Sequence, residues 1–286
     1  MLKWARRAGA ALAVAAVVLV SASATDTHPA AADCQARAGG TLRLALMSGG
    51  LRRTALLHVP RAASAGRNLP LVLAFHGAGG TGAWMEDYSG LTKLSDQRGF
   101  MVAYPDAYGP RRVWNLAGPP GAVPDDVAFT SDLIAAIDRR ACLEPAQVFA
   151  TGVSNGGGMT ARLGCDLSGV LRAIAPVAGG YSTLPSCRPT RPVSVLEIHG
   201  VRDPVVPYRG RGTARAGDVI RYVRAWAKRD RCPRRATRWP VAREVMRLQW
   251  APCAQGAAVA HLRLADRGHE WPAIASRQVW SFFAGR

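Results

Sequence analysis

The chain has 286 residues, 49% of them hydrophobic, with six cysteines and a formal net charge of +18. Its length is ample for one α/β domain with a full core, and no internal repeat or low-complexity tail points to a repeat architecture. The positive charge is almost all arginine, since lysine occurs only at Lys3, Lys93 and Lys228; it reads as a compositional bias on a solvated surface, which sets nucleic acid aside as a partner.

The first 24 residues read as a secretory signal. Lys3, Arg6 and Arg7 form a positive n-region, and Ala8 to Val20 form an apolar core too short for a comfortable membrane span. Ala22-Ser23-Ala24 is an A-x-A cleavage site, and a retained anchor is the alternative. Residues 25–40 read as a linker, and residues 41–286 as a single catalytic domain. No membrane span is expected after cleavage, so the protein is expected to be secreted, either extracellular or periplasmic. All six cysteines follow the signal, an even count suited to an oxidising compartment. Cys165–Cys187 and Cys232–Cys253 would each close a short loop, leaving Cys34 and Cys142; connectivity is not determined by spacing alone. No cysteine spacing suggests a zinc site, and neither metal nor cofactor is expected.

The predicted elements then alternate. Thr41–Met47 and Arg53–Val59 read as an antiparallel pair turning at Ser48-Gly49-Gly50, at an edge of the sheet. A continuous apolar strand, Leu71–His76, runs into the loop His76-Gly77-Ala78-Gly79-Gly80. A helix near Leu91–Arg98, a strand Phe100–Tyr104 and a helix Val127–Arg139 follow, with Asp125 and Asp126 read as the N-terminal cap of that helix. Next come Val148–Thr151, a helix behind Ser154, strands Ala173–Val177 and Val193–His199, a helix Asp218–Asp230, a strand Ala258–Leu264 and a helix Ala273–Phe283. In the basic stretch from Arg221 to Arg238, Tyr222, Val223 and Trp226 have core-facing spacing, so its arginines read as a solvated face. The alternation predicts a mostly parallel sheet with helices on both faces.

Gly152-Val153-Ser154-Asn155-Gly156 is the most informative stretch. A G-x-S-x-G at a strand-to-helix junction is the nucleophile elbow of the α/β-hydrolase fold, whose acid and histidine follow the serine in the chain. Asp203 lies just past the strand ending at His199, and His269 lies in a Gly-flanked loop after the strand ending at Leu264. Ser154, Asp203 and His269 are therefore the expected nucleophile, acid and base. His28 falls in the linker, His58 and His261 fall within strands, and His199 precedes the acid. His76 reads as a structural residue of its loop. The oxyanion donors are expected to be the backbone N–H groups of Asn155 and Ala78, with Gly79 as the alternative to Ala78. Trp114 and Trp271, in loops at the same edge, could form an aromatic wall for a phenolic acyl group or a sugar ring, or could simply pack.

With those residues in place, six segments carry a resemblance: P-L-V-L-A-F-H-G-A-G-G, D-D-V-A-F-T-S-D-L-I, V-F-A-T-G-V-S-N-G-G-G-M, A-I-A-P-V-A-G, I-H-G-V-R-D-P-V-V-P-Y and G-H-E-W-P. Together they span roughly residues 70–275, and the chain resembles the secreted esterases that group polyhydroxybutyrate depolymerase-like proteins with feruloyl and acetylxylan esterases, carbohydrate esterase family one. The resemblance implies an α/β-hydrolase fold and a serine esterase acting on a small or oligomeric ester, free or polysaccharide-linked, through the same three residues. Many relatives carry a cysteine-rich turn after a W-N pair, whereas Trp114-Asn115-Leu116-Ala117-Gly118 has none. No separate binding module is expected, so soluble oligomers or feruloyl-type esters are expected over crystalline polymer. The competing readings are a serine peptidase of the same fold and a non-catalytic cationic protein that binds the cell envelope.

Overall fold

The computed structural model describes residues 1, 39–61, 68–119, 121–210 and 218–286. The predicted signal, most of the predicted linker and Cys34 lie outside the described residues. The described residues form one ten-stranded sheet in the order β1-β2-β4-β3-β5-β6-β7-β10-β9-β8. The central run is β4 (Met101–Pro105), β3 (Leu69–Phe75), β5 (Leu143–Val153), β6 (Ala173–Val177), β7 (Ser194–Gly200) and β10 (Val259–Leu264). Its strands pair parallel to one another. The pair β1 (Gly40–Ser48) and β2 (Leu51–Val59) closes one edge antiparallel, as the sequence predicts. This is the α/β-hydrolase architecture.

The other edge differs from the expectation. β8 (Thr237–Ala242) and β9 (Val245–Trp250) add an antiparallel hairpin beside β10. Their sequences hide it. β8 is almost wholly solvent-facing and contains Pro240, and β9 is half-buried along its middle, so neither shows a clean two-residue alternation. The helix α1 (Gly82–Ser89) is a further element that the sequence pattern does not predict; it spans eight residues, and the Thr81 hydroxyl accepts from Trp84 N–H to cap it.

Side chains leave each central strand alternately toward two apolar layers. Leu71, Leu73 and Phe75 of β3 enter the layer that contains Phe129, Met159 and Trp226. These come from α3 (Asp126–Asp138), α4 (Asn155–Asp166) and α5 (Val219–Arg229). Val72 and Ala74 enter the opposite layer with Met85, Leu94 and Phe282, from α1, α2 (Leu91–Arg98) and α6 (Ala275–Phe283). α5 turns Val223 and Trp226 inward and leaves Arg224, Lys228 and Arg229 exposed, which is the solvated face expected of its arginines. Cys165–Cys187 ties the end of α4 to the segment after β6, and Cys232–Cys253 ties the end of α5 to the segment before β10. Among the described residues no helix is long and apolar enough to cross a membrane.

Asp125 caps α3 by accepting from Val127 and Ala128 N–H, as predicted. Asp126 does something else. It is buried against Arg53 of β2 at 2.6 Å, with the guanidinium 3.8 Å from the Phe129 ring centroid. Its second oxygen accepts from Asn115 N–H at 2.8 Å, so this ion pair anchors the loop that follows β4. Removing one member of a buried pair strands the other charge, at a cost of roughly 3–5 kcal/mol. Arg53→Met is therefore expected to lower unfolding stability by about that amount in urea titrations; a loss well under ~1 kcal/mol, typical of a surface pair, would show that the pair is dispensable.

Candidate active site

The site is assembled at the C-terminal ends of β3, β5, β7 and β10, where open α/β sheets hold their ligands. β5 ends at Val153 and α4 starts at Asn155, leaving Ser154 alone at the turn with φ 58° and ψ −120°. A non-glycine residue in such a conformation stores on the order of 1–3 kcal/mol and persists only when its surroundings hold it. Here Ser154 N–H donates to Val177 O at 2.9 Å, and Ser154 O accepts from Gly158 N–H at 2.9 Å. The flanking glycines are needed for space. A Cβ on Gly152 would stand 2.5 Å from the Gly156 carbonyl oxygen, and one on Gly156 would run into the carbonyl oxygens of Phe75 and His76. The elbow is thus pressed directly against the end of β3.

The loop after β3 is rigid for reasons visible atom by atom. His76 Nε2 accepts from Ala107 N–H at 3.1 Å, which fixes the tautomer, and Nδ1–H donates to Gly77 O at 2.7 Å. Burial of the ring lowers its pKa, consistent with a neutral structural imidazole. Gly79 N–H donates to Arg112 O at 3.0 Å, so it is committed, and Ala78 is left as the donor on this side. Among the described residues neither Ala78 N–H nor Asn155 N–H has a protein acceptor. These are the two amides expected to face an oxyanion.

Asp203 sits in the turn after β7 with every lone-pair direction used. Its Oδ1 accepts from Val205 and Val206 N–H at 2.9 and 2.8 Å. Its Oδ2 is 2.8 Å from His269 Nδ1 and 3.2 Å from His199 Nε2. Burial opposes the charged carboxylate, but the bonds from His199 and His269 and the Val206 amide outweigh it and hold the pKa well below the usual carboxylate range. The two loops meet because Gly200 lets the chain at Arg267 and Gly268 press onto it. Arg202 N–H then donates to Arg267 O at 3.0 Å. Ser154 Oγ has no hydrogen-bond partner among the described residues, so the serine–imidazole contact is open. Hydrogen bonds of this kind are often loose in ligand-free sites and tighten with substrate.

Behind Asp203 lies a buried chain of polar groups that the sequence does not reveal. His199 Nδ1 is 2.9 Å from Glu197 Oε1, which also accepts from Tyr181 OH at 2.9 Å. His261 Nδ1 is 2.6 Å from Glu197 Oε2, and His261 Nε2 is 2.8 Å from Tyr208 OH. Burial alone would lower the His199 pKa, but its bonds to Asp203 and Glu197 raise it to about 10. Burial alone would raise that of Glu197, but the bonds from His199 and His261 lower it to about 2. Chain order excludes His199 from the triad; its position beyond the acid is legible only in three dimensions.

The two tryptophans expected to line the site are corrected by their burial. Trp114 is only 1% exposed; its indole N–H donates to His76 O at 2.9 Å and its ring meets Phe75 edge-on. The Asn155 carboxamide clamps the Trp114 backbone from both sides, accepting from N–H at 2.7 Å and donating to O at 3.3 Å. Trp271 is 6% exposed, with its indole bonded to Ser276 and its backbone N–H to Tyr88 OH. Both brace the loops and offer no open ring face. Of the four exposed aromatics among the described residues, Trp84, Tyr88, Tyr108 and Trp239, the first two stack on each other at 4.4 Å on α1. Trp84, Arg112 and the loop Gly77–Thr81 line an open cleft of about 400 Å³. Trp84 and Tyr88 are four apart, one turn of α1; the Thr81 cap was the available signal for that helix.

No protein-family model matches the chain. In sequence it is 33% identical over 199 residues to feruloyl esterase B of Piromyces equi, covering 63% of this chain and 36% of that protein. It is 34% identical over 181 residues to a putative esterase, NocK, of Nocardia uniformis subsp. tsuyamanensis, covering 62% and 52%. The chain thus spans about half or less of these relatives' length. Among solved structures, an acetyl xylan esterase from Aspergillus awamori superposes with a TM-score of 0.71 at 15% identity, over 87% of this chain and all of that one. A ferulic acid esterase from Anaeromyces mucronatus superposes at 0.57 and 14% identity, over 85% and 88%. At such identities the superpositions speak for the fold alone.

The polar cluster makes stability depend on pH in a definite direction. His199 is held at about 10 against an ordinary 6.5, so its contribution is complete below pH 6.5 and is lost as pH rises toward 10. Glu197 is held at about 2 against an ordinary 4.5, so its contribution is complete above pH 4.5 and is lost as pH falls toward 2. The urea midpoint is expected to be highest between pH 4.5 and 6.5 and to decline on both sides. A midpoint unchanged from pH 6.5 to 10 would contradict a charged His199.

Proposed function

We propose that this chain, a feruloyl esterase-like α/β-hydrolase, is a secreted carboxylic ester hydrolase in which Ser154 is the nucleophile, His269 the base and Asp203 the acid. The observation that carries the reading is the 2.8 Å bond between Asp203 and His269 at the sheet edge from which the strained Ser154 elbow projects. The paired acid and imidazole and the serine turn come from distant parts of the chain, and packing alone gives no reason for them to share one edge.

The chemistry follows from the geometry. A serine hydroxyl is a weak nucleophile until a base takes its proton. The imidazole of His269, with Nδ1–H turned to Asp203, presents Nε2 as the base. Ser154 Oγ attacks the ester carbonyl carbon as its proton passes to Nε2, and the carbonyl oxygen becomes an oxyanion between Asn155 N–H and Ala78 N–H. Each such donor is commonly worth about 3 kcal/mol of barrier. Collapse expels the alcohol, which takes the proton from His269, and an acyl-Ser154 ester remains. Water then attacks with His269 again as base and releases the acid. Asp203 keeps the imidazole in one tautomer and stabilises its charged form throughout.

The cleft beside Ala78 supports an aromatic acyl group, because the exposed Trp84–Tyr88 stack offers the ring face that Trp114 and Trp271 do not. Feruloyl-type esters are the favoured class and acetyl esters of polysaccharide the second. Secretion is supported by the predicted leader and by the disulfides Cys165–Cys187 and Cys232–Cys253.

Ser154→Ala is expected to lower turnover of p-nitrophenyl acetate by on the order of 10⁵-fold with an unchanged circular dichroism spectrum, and to abolish labelling by a fluorophosphonate probe. Retained turnover would remove Ser154 from the mechanism. Trp84→Ala is expected to raise KM for methyl ferulate by roughly 3- to 10-fold, the worth of one aromatic contact, while leaving KM for p-nitrophenyl acetate nearly unchanged. Equal effects on both substrates would show that Trp84 does not select the acyl group.

A further inference from the structure

We propose that His199 is a positioning residue: a buried imidazolium bridging Glu197 and Asp203, which keeps Asp203 ionised and aimed at His269 and so sets the acid limit of activity. The inference rests on the reading of Asp203 and His269 as acid and base, and it concerns a residue that touches neither substrate nor reacting atoms.

The argument is one of donors and acceptors. His199 Nδ1 faces Glu197 Oε1 at 2.9 Å, while Nε2 faces Asp203 Oδ2 at 3.2 Å and Val206 O at 3.0 Å. None of the three has a hydrogen to offer. The Val206 carbonyl never donates, Glu197 Oε1 already accepts from Tyr181 OH, and Asp203 accepts at both oxygens from two amides and His269. A neutral imidazole carries one N–H and would leave a ring lone pair against a carboxylate oxygen in the dry interior. The imidazolium donates from both nitrogens and satisfies every neighbour. The side chains of His199, Glu197 and Asp203 are fully buried, so no water can take a share.

The remaining charged and titratable groups around His199 do not alter this assignment. The Tyr208 ring stands edge-on at 6.0 Å, and His261 of β10 approaches Glu197 from the far side. Arg263 of β10 lies opposite His199 in the strand register. Tyr181 is stacked on Tyr222 of α5. Two carboxylates and one imidazolium therefore leave a single negative charge facing His269.

His199 Nε2 and His269 Nδ1 stand 3.2 and 2.8 Å from the same oxygen, Asp203 Oδ2. A positive charge at one therefore opposes a positive charge at the other across a single carboxylate oxygen. With His199 charged, the field that the two carboxylates exert at His269 is reduced to that of one. Replacing His199 by a neutral side chain leaves two carboxylates facing His269, which would hold its proton more tightly, by about one pH unit for charges at this separation. His199 itself keeps its proton throughout the catalytic cycle.

Two measurements test this. In the Ser154→Ala background, NMR titration of His269 is expected to show its midpoint about one unit higher in His199→Gln than with His199 present. In the active protein, the acid limb of kcat/KM for p-nitrophenyl acetate is expected to move up by the same amount, so that His199→Gln loses several-fold more activity at pH 5.5 than at pH 8. A side chain that only packs would lower activity equally at every pH, and an unmoved His269 midpoint with parallel profiles would overturn the proposal. Should His199→Gln fail to fold, the ring ¹⁵N shifts of residue 199 in the unsubstituted protein at pH 8 decide the matter: a doubly protonated ring supports it and a neutral tautomer ends it. The titration needs no turnover, so its result is independent of what Ser154→Ala does to esterase activity.

Discussion

The carboxylate of Asp203 is the point on which the rest of the site turns. A buried anion is tolerated only when it is paired and hydrogen-bonded, and this one is met from three directions: by the amides of its own turn, by His269 and by His199. The backbone amides fix Oδ1 and thereby the rotamer, which leaves Oδ2 pointing across to the loop after β10. Because Gly200 admits that loop at van der Waals contact, His269 arrives where the anion can hold it. Orientation of the imidazole is thus a consequence of how one carboxylate is satisfied.

A second constraint governs the opposite wall. Trp114 links the loop after β4 to both halves of the expected oxyanion site: its indole bonds the His76 carbonyl, and its backbone is gripped by the Asn155 side chain. The residue after it is fixed by buried Asp126 and by Arg162, whose guanidinium donates to Asn115 O and Gly118 O at 2.8 Å. The chain ties this stretch with a buried aspartate and a forked guanidinium. An Arg fork can satisfy two carbonyls at once, which suits it to holding an irregular loop. The tryptophan expected as a substrate contact is therefore part of the frame, while Trp84 and Tyr88 stack in the open on α1.

The order of chemistry-bearing elements, the antiparallel edge β1–β2, the elbow and the cap at Asp125 were legible in the sequence. Each rests on local rules: strand runs with an apolar period, a glycine pair around a serine, an aspartate ahead of a helix. The hairpin β8–β9 was not legible, because a strand at the sheet's edge with one face in water and a proline in it lacks a distinct pattern. α1 escaped because only Met85 of its buried residues is a large apolar side chain, which leaves no helical apolar period.

What the chain determined by itself was connectivity: which residue types stand at which strand ends, and in what order. Only the tertiary structure decided which of those residues became neighbours. Chain order sets His199 aside, yet it shares an oxygen with His269, 70 positions later, because β7 and β10 pair in parallel. Gly79 and Ala78 were equivalent as letters until the Arg112 carbonyl claimed one amide and left the other open. Trp114 and Trp84 differed only in which side of a loop or helix met the core. Contact and burial are properties of packing between distant segments, and no local pattern encodes them.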